Sequence, residues 1–503
     1  MNGLLKKVLS VLTVSAMVLS LASCSSSSSS SESDTQTASS SDPVTLDWYL
    51  YVDKTQSGLD AVQEALNQYL VDKINVKVNI HEMDCGTYGT KMPIIINSGE
   101  NYDICQTATW GIVNYVNTAL TGAFWDLSEN SLQADAPETY KTIPEKLWTS
   151  AKVNGKIYGV PTYKEEGVQY DVMVNDDLAK QYDIDYSNLT TWEDLGPILK
   201  DAKSKLPSTV TPMDSAYLWS VAKSYAVSAG SEPGYVPVHG DDSPYNDIDS
   251  NTVFNIYDTD YFQTYCDTVY SWYKAGYFPT NIQTYSDDNR SSDDKANKLF
   301  AWIICYAPGY DTSYSASVGH NEVAVPITKC LYSGASDLQS ISANSENKDA
   351  ALKFLNLVNT DLTVGNYLRH GVEGTNYTLD DNDKVHALNT DVYGTDSGWQ
   401  FGNIFNQTWT DGTASDIVDQ YDAYNDNTVE NPILGYVFDD ANVKNQISAI
   451  SSIQSQYYDP LINGYGDPST LVAQYRDQLK ANGSEALLAE QQKQVTAFLQ
   501  DNS

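Results

Sequence analysis

The chain has 503 residues and is strongly acidic, with 66 Asp and Glu against 29 Lys and Arg and a formal net charge of −37. A chain of this length is expected to fold as two or three lobes with sizeable cores. The charge excludes sequence-independent nucleic-acid binding, because it repels phosphate beyond a screening length of about 8 Å at physiological salt. Since 41% of the residues are hydrophobic and 19% are charged, wholesale disorder is excluded as well.

The N-terminus has the pattern of a bacterial export signal. Lys6 and Lys7 precede an apolar run over residues 8–21, which is shorter than a typical transmembrane helix. Residues 21–24 (LASC) resemble a lipobox, in which the cysteine receives diacylglycerol and becomes the first mature residue. We therefore predict a lipoprotein signal peptide at residues 1–23, lipidation of Cys24, and a location on the outer face of the cytoplasmic membrane.

A serine-rich tether follows, and folded structure is predicted from about residue 43. Residues 24–42 are mostly serine with almost no apolar side chain, which is typical of a flexible linker. A strand at residues 44–50, a helix at 58–73 with apolar positions at helical spacing, and a strand at 76–80 form a βαβ opening. A short strand at residues 102–106 leads to a loop that carries Trp110.

The remaining elements continue an alternating α and β pattern. Thr191 and Asp194 have the spacing of a helix start, although Gly196-Pro197 interrupts the helix, and Ser345 is predicted to cap the helix that follows it. Residues 229–260 and 280–294 are rich in Gly, Pro, Asp, Asn and Ser and predict loops. Residues 443–498 predict helices broken near 463–468 and near Gly483.

Cysteine and histidine spacing predicts neither a disulfide framework nor a metal centre. Five cysteines remain after Cys24, none close to another in sequence, so buried free thiols are expected. The five histidines are dispersed and no zinc-type spacing occurs. The acidic runs at residues 287–289, 293–294 and 380–383 lack the full calcium-loop pattern and predict solvated turns. We predict no metal and no cofactor.

Five segments in chain order resemble the extracellular solute-binding proteins of ABC importers. The first resembles the crossing between the two lobes of that family, and the fourth resembles the strand that returns. The segments are residues 154–161 (NGKIYGVP), 174–178 (VNDDL), 191–195 (TWEDL), 322–326 (EVAVP) and 345–351 (SENKDAA). Residues 367–377 (YLRHGVEGTNY) and 490–494 (EQQKQ) are similar to the LipO-like lipoproteins within that family.

The resemblance implies an α/β, two-lobe periplasmic-binding-protein-like fold of type II, with a hinge and a ligand cleft between the lobes. The N-terminal lobe is expected to comprise residues 43–160 and 327–365, and the C-terminal lobe residues 161–326 and 366–503. It further implies a monomeric, non-enzymatic receptor that captures a solute by hinge closure and delivers it to an ABC permease. The expected solute is a carbohydrate, and more narrowly an oligosaccharide.

The composition is compatible with a sugar ligand. Sugars present an apolar C–H face and a rim of hydroxyl groups, which aromatic rings and polar side chains recognise together, and the chain has 37 Tyr and 10 Trp. From their places in the family pattern, the expected ligand-binding residues are Trp110, Tyr163, Glu165, Glu166, Tyr217, Trp219, Trp302, Tyr306, Glu373, Trp399, Trp409 and Tyr436. Asp103 and Arg369 are further candidates for polar contacts with a sugar.

Two alternatives remain open from the sequence. An exported glycosidase also combines an aromatic cleft with two carboxylates, but with 66 acidic residues no pair stands out. A peptide or polyamine receptor would use the same architecture, and an acid-lined cleft would distinguish it from a sugar receptor.

Overall fold

The computed structural model describes residues 42–111, 113–394 and 398–501. The predicted signal peptide, Cys24 and the tether as far as residue 41 lie outside the described residues. Among the described helices, none is both long enough and apolar enough to cross a bilayer.

The first sheet begins with the predicted βαβ unit. Strand Val44–Val52 buries alternate side chains, among them Leu46, Trp48 and Leu50, as expected for a strand with a packed face. It pairs in parallel with Val76–Asp84 on one side and with Ile104–Ala108 on the other. Strand Asp337–Ile341 is antiparallel to Ile104–Ala108, and the edge strand Val160–Pro161 is in turn antiparallel to Asp337–Ile341, which completes this five-stranded sheet.

A second sheet of four strands lies later in the chain. Strand Tyr170–Asn175 is flanked by Glu322–Pro326 and Leu299–Cys305, both antiparallel to it, and Thr211–Met213 pairs in parallel at the far edge. The smaller strands are Ala226–Ser228, Gly234–Pro237 and Phe254–Asn255 in one sheet, and the pairs Gly167–Val168 with Leu331–Tyr332, Tyr377–Leu379 with Val385–Ala387, and Lys152–Val153 with Lys156–Ile157.

Helices surround both sheets. Those before the second sheet are Leu59–Ile74, Cys85–Ser98, Tyr115–Leu120, Glu129–Asp135, Pro137–Thr142 and Glu145–Ser150. Those around it are Asp176–Gln181, Leu195–Lys205, Leu218–Lys223, Asp260–Lys274, Asp287–Lys295 and Tyr310–Val318. The later ones are Lys348–Thr360, Leu362–His370, Ile417–Asp426, Lys444–Ile462, Pro468–Ala481 and Ser484–Asp501, and short 3₁₀ turns occur at Trp192–Asp194, Ile256–Asp258, Ile282–Thr284 and Gly398–Gln400.

Each sheet has its own hydrophobic core, so the chain has two lobes. Helix Leu362–His370 contributes Val364 and Leu368 to the core of the first sheet, and Phe401 joins them there. The predicted boundary between residues 365 and 366 divides this helix, and this corrects the predicted lobe division. Helix Ile417–Asp426 already packs against Ala307 of the second lobe through Ile417 and Tyr421, and beyond it Ile433 packs with Val495.

Three connecting segments join the lobes and bond to one another. Gly167–Val168 of the first pairs with Leu331–Tyr332 of the second, and the Tyr332 backbone N–H donates to the Val429 carbonyl of the third at 2.8 Å. A side chain at Gly167 would collide with the Cys330 sulfur, so the close approach requires glycine there. This small sheet is the hinge.

Several local predictions are confirmed and others are wrong. The Thr191–Asp194 capping box is present, and the helix continues through Gly196-Pro197 because proline in a first turn loses no needed hydrogen bond. Ser345 is not the N-cap, which is Asn347, and residues 287–295 form a helix where a loop was predicted, held at its start by a Ser286–Asn289 capping box.

The five cysteines after Cys24 are free. Cys105, Cys266 and Cys330 are buried as predicted, whereas Cys85 and Cys305 are exposed.

Asn425 supports the hinge, and its loss should weaken the fold. Its carboxamide accepts from the Glu166 backbone N–H at 2.8 Å and donates to the Lys164 carbonyl at 3.2 Å, both buried. Asn425→Ala should lower the free energy of unfolding by about 1–3 kcal/mol, because it leaves these backbone groups unpaired. Urea denaturation measures the change. Asn427→Ala is the matched control, since the exposed Asn427 bonds only within its own helix, and equal losses in both variants would contradict the prediction.

Candidate functional site

Aromatic side chains lie where strands of the first sheet end. Tyr51 is the penultimate residue of strand Val44–Val52, and Trp110 lies two residues after strand Ile104–Ala108. In open α/β sheets, ligands bind outside the carboxyl ends of the strands. This edge of the first sheet is therefore the expected wall of a ligand cleft.

Three aromatic rings form a continuous surface at this edge. The ring centroids of Tyr51, Trp110 and Trp399 are each 6.2 Å from the other two, with interplanar angles between 49° and 78°. Trp110 keeps 40% of its surface exposed, and Trp399 is half-buried. We call these three residues the aromatic platform.

The platform is held by polar contacts to the strands beneath it. The Trp110 indole N–H donates to Asp337 Oδ1 at 2.9 Å, and the Tyr51 hydroxyl donates to Asp53 Oδ1 at 2.6 Å. Trp399 precedes Gln400, whose carbonyl accepts from the buried Gln339 amide at 2.8 Å. Trp110 is thus bonded directly to strand Asp337–Ile341 of the first sheet, and the residue after Trp399 is bonded to the same strand.

A buried lysine lies between two carboxylates beside the platform. Lys164 Nζ is 2.5 Å from Glu165 Oε1 and 3.5 Å from Asp337 Oδ2, and it lies 5.5 Å from the centre of the Trp399 ring. Burial opposes the charge of Lys164, but the two carboxylates outweigh burial and the lysine pKa is raised. Lys164 is therefore a fixed cation at the hinge.

The second lobe presents tyrosines toward the same place. Tyr306 follows strand Leu299–Cys305 directly and lies 6.2 Å, between ring centroids, from Tyr310, whose pKa is raised by burial and then by Glu165. Tyr217 is 51% exposed in a left-handed backbone conformation, and it lies close enough to add to the raised pKa of Tyr51, which burial and Asp53 mainly cause. Tyr310 also packs against the same small cluster as Trp399, so residues of both lobes meet beside the platform.

The second-lobe wall is acidic. Asp171 is buried. Its pKa is raised mainly by burial, and the nearby Asp311 carboxylate adds to the rise. Both carboxylates add to the effect of burial on Tyr306, whose pKa rises to about 12. Three more carboxylates of the cleft belong to Asp53, Glu165 and Asp337. Acidic side chains named here therefore outnumber basic ones, and Glu165 and Asp337 already neutralise Lys164.

Seven of the predicted binding residues lie in or beside this cleft. Trp110 and Trp399 belong to the platform, Tyr217 and Tyr306 face it, and Glu165 pairs with Lys164. Tyr163 packs on Phe405 at 4.9 Å, and Trp409 packs against the small cluster beside Trp399. Their contact with a ligand remains a prediction.

Three predicted aromatic residues lie in cores of the second lobe. Trp219 is 2% exposed and packs on Phe262 and Tyr265. Trp302 is 4% exposed under the Arg290 guanidinium, and Tyr436 packs on Phe498. These placements are wrong, because large aromatic side chains fill hydrophobic cores as readily as they line clefts.

Three predicted polar residues have structural partners elsewhere, and a fourth is exposed. Glu166 is buried and pairs with Lys146 at 2.6 Å, fixing the hinge to the first lobe, and Glu373 is exposed beside Tyr377. Asp103 accepts from the Ser345 hydroxyl and the Asp47 backbone N–H. Buried Arg369 donates to the Asn403 carbonyl. We correct the assignments of Glu166, Asp103 and Arg369, whereas ligand contact at Glu373 remains a prediction.

The sequence prediction missed several residues of the cleft. Tyr51, Lys164, Asp171, Tyr310 and Asp337 were not among the candidates. For Tyr51, the position at the carboxyl end of the first strand was an available signal. For Lys164 and Asp337, which are 173 positions apart, only the pairing of the connecting segments with the sheet brings them together.

Comparison with known proteins agrees with this architecture. A family model described as bacterial extracellular solute-binding protein matches residues 54–361. The chain belongs to this family. A second model, described as a domain of unknown function (DUF3502), matches residues 432–500. This solute-binding protein is 29% identical over 474 residues to a carbohydrate ABC transporter substrate-binding protein of Streptococcus pneumoniae serotype 4, covering 92% of this chain and 93% of the relative.

Solved structures share the fold of this solute-binding protein. The N-glycan transport solute-binding protein of Streptococcus pneumoniae matches with a TM-score of 0.79 at 27% identity, over 92% of this chain and all of that one. The same protein in complex with Man5GlcNAc matches with a TM-score of 0.70 at 28% identity, over 92% and 99%. A solute-binding protein from Bifidobacterium longum subsp. infantis, at 16% identity, a TM-score of 0.61 and coverage of 91% and 98%, shares the fold alone.

Asp171 should make stability depend on pH. Burial raises its pKa to about 6, against the opposing hydrogen bond from Gln169. The folded chain therefore binds a proton that the unfolded chain lacks between about pH 4 and pH 6, so this contribution to stability is present at low pH and is lost as pH rises through 6. Asp171→Asn should stabilise the protein at pH 7 by up to about 3 kcal/mol relative to wild type, and by less at pH 5.

Urea midpoints at pH 5 and pH 7 measure this difference. Asp381→Asn, at an exposed turn, is the control. If Asp171→Asn shows the same difference between the two midpoints as wild type, Asp171 does not titrate in this range.

Proposed function

We propose that this solute-binding protein is the lipid-anchored receptor of a carbohydrate ABC importer and captures an oligosaccharide between its lobes. The aromatic platform opposite Tyr217, Tyr306 and Tyr310 is the observation that carries the proposal. Sugar rings stack their C–H faces on such surfaces, and the carboxylates and Lys164 beside the rings would bind hydroxyl groups.

The number of rings favours a ligand of more than one sugar. Covering about 50 Å² of one ring at roughly 25 cal/mol/Å² contributes only about 1 kcal/mol, whereas micromolar affinity needs about 8 kcal/mol. Several rings spread over two walls, together with fixed polar groups, are what an oligosaccharide of micromolar affinity requires. The named Streptococcus pneumoniae relatives, a carbohydrate substrate-binding protein and an N-glycan transport protein solved with Man5GlcNAc, support the same ligand class.

We place the receptor on the outer face of the cytoplasmic membrane, anchored through Cys24 and working as a monomer with an ABC permease. The lipobox-like LASC sequence and the serine-rich tether support the anchor. The permease follows from the family, whose members deliver solute rather than transform it, and we propose no catalytic role for the carboxylates.

A polyamine is the second candidate ligand, because acidic residues outnumber basic ones in the cleft. Thermal-shift and calorimetric screening against neutral oligosaccharides, polyamines and peptides separates the two candidates. Ligand at 100 times its Kd should stabilise the fold by about 2.7 kcal/mol. A carbohydrate that binds and is recovered unchanged after prolonged incubation supports the proposal; a polyamine or peptide hit would replace the ligand class, and released product would indicate a glycosidase.

Removal of a platform ring should weaken ligand binding without unfolding the protein. Trp110→Ala and Trp399→Ala should each weaken oligosaccharide binding by about 5- to 30-fold, equivalent to about 1–2 kcal/mol of lost stacking. Calorimetry measures the Kd. Tyr270→Ala is the control, because Tyr270 is a half-buried aromatic residue on a helix of the second lobe, under Lys274. Wild-type affinity in both tryptophan variants would contradict a platform role.

Replacement of Cys24 should release the protein from the membrane. In Cys24→Ala the acylated residue is absent, so the chain should move from the membrane fraction to the soluble fraction, and mass spectrometry of the wild-type N-terminus should find diacylglycerol on Cys24. Cys85→Ala, at an exposed thiol of the folded part, is the control and should stay with the membrane. Equal distribution of the two variants would overturn the anchor.

A further inference from the structure

Three metal-ligating side chains meet in the second lobe, away from the cleft rings. Asp294 lies in the last turn of helix Asp287–Lys295, His320 in the loop after helix Tyr310–Val318, and Glu322 begins strand Glu322–Pro326. One ligand atom from each lies within 4.8 Å of the other two. His320 Nε2 is 3.3 Å from Asp294 Oδ1 and 2.9 Å from Glu322 Oε1.

Buried carboxylate oxygens in this cluster are poorly paired. Asp294 is 2% exposed and Glu322 4% exposed; Glu322 Oε2 accepts no hydrogen bond, and Asp294 Oδ1 has only the 3.3 Å contact with His320 and no well-aligned hydrogen bond. The Trp302 indole N–H lies near Glu322, but Trp302 Nε1 and Glu322 Oε2 do not form a well-aligned bond. Buried carboxylates are ordinarily paired with a donor or a cation, so these oxygens point to an additional positive group.

Arg290 does not supply that group directly. Its guanidinium lies 4.0 Å over the Trp302 ring, and its ion pair is with Asp287 at 3.7 Å. It acts on both carboxylates of the cluster through space, but among the described residues no ion pair within 4 Å joins it to Asp294 or Glu322. Lys295 acts on Asp294 and Asp177 on Glu322 in the same indirect way. Among the described residues, His320 is thus the only basic side chain within 4 Å of the two carboxylates.

We propose that Asp294, His320 and Glu322 form a binding site for a Zn²⁺-type divalent cation. One imidazole nitrogen with two carboxylate oxygens is a zinc donor set, and tetrahedral bonds of about 2.0–2.1 Å separate neighbouring ligand atoms by about 3.3 Å. The His320–Asp294 distance matches this value, and the His320–Glu322 distance is slightly shorter. Calcium is less suited, because it takes six to eight oxygen ligands.

The proposed ion would be structural and would brace a wall of the cleft. It would join three elements that are separate in the chain, and Arg290, beside it, also acts on Asp214 and Tyr217. Three protein ligands leave a fourth position for water. This inference does not rest on the identity of the transported solute.

The test uses the purified full-length protein after treatment with chelator. Calorimetry should find one Zn²⁺ per chain, and Zn²⁺ at 100 times its Kd should raise the Tm by about 3 °C, with little response to Ca²⁺ or Mg²⁺. His320→Ala should abolish this stoichiometric binding. His386→Ala is the matched control, because exposed His386 pairs with the single carboxylate of Asp411 at 2.6 Å, and it should retain the site.

A second measurement needs no variant. Co²⁺ added to the chelator-treated protein should give the visible absorption of a tetrahedral site and should be displaced by Zn²⁺. Absence of both stoichiometric Zn²⁺ binding and the Co²⁺ spectrum would overturn the proposal. Binding that survives His320→Ala but is lost in His386→Ala would also overturn it, since the ion would then occupy an exposed histidine.

Discussion

The Lys164 ion pair with Glu165 and Asp337 is the contact on which the cleft depends. Lys164 and Glu165 belong to the first connecting segment, and Asp337 begins the strand that returns from the second segment to the first sheet. A buried charge is tolerated only when it is paired, so this lysine fixes the two segments against each other. Asp337 also accepts the Trp110 indole N–H. One carboxylate thus orients an aromatic ring and the charge at the hinge.

The hinge and the cleft share the same short stretch of chain. Residues 164–166 include Lys164 and the cleft carboxylate of Glu165. The next residue, Glu166, forms the ion pair that attaches the hinge to helix Glu145–Ser150. Because the three connecting segments bond to one another, any movement of one lobe relative to the other would have to bend or twist this small sheet. A ligand that touches both walls would therefore act on the hinge directly, which is how a solute-binding protein couples capture to closure.

Aromatic residues of this chain divide between cores and the cleft in a way that residue type does not reveal. Trp219, Trp302 and Tyr436 pack inside the second lobe, whereas Trp110 and Tyr217 keep 40% and 51% of their surface exposed. Burial of a ring in a core and stacking of a ring on a sugar use the same apolar surface, so both uses are equally compatible with the sequence. The sequence likewise does not reveal which cysteines are buried or what surrounds each histidine. His320 has its two carboxylate neighbours only in the folded chain.

The sequence by itself determined the local elements and the family. Alternation and helical spacing predicted the opening βαβ unit, the Thr191–Asp194 capping box and the broken helices of the C-terminal region, because these depend on neighbours within a few positions. Only the tertiary structure decided the site. It assigned Leu368 and Phe401 to the first lobe, paired Lys164 with Asp337, and brought Tyr51, Trp110 and Trp399 together. The reason is physical: these contacts join residues up to about 350 positions apart, and their partners are chosen by how strands and connecting segments pack, which no local pattern encodes.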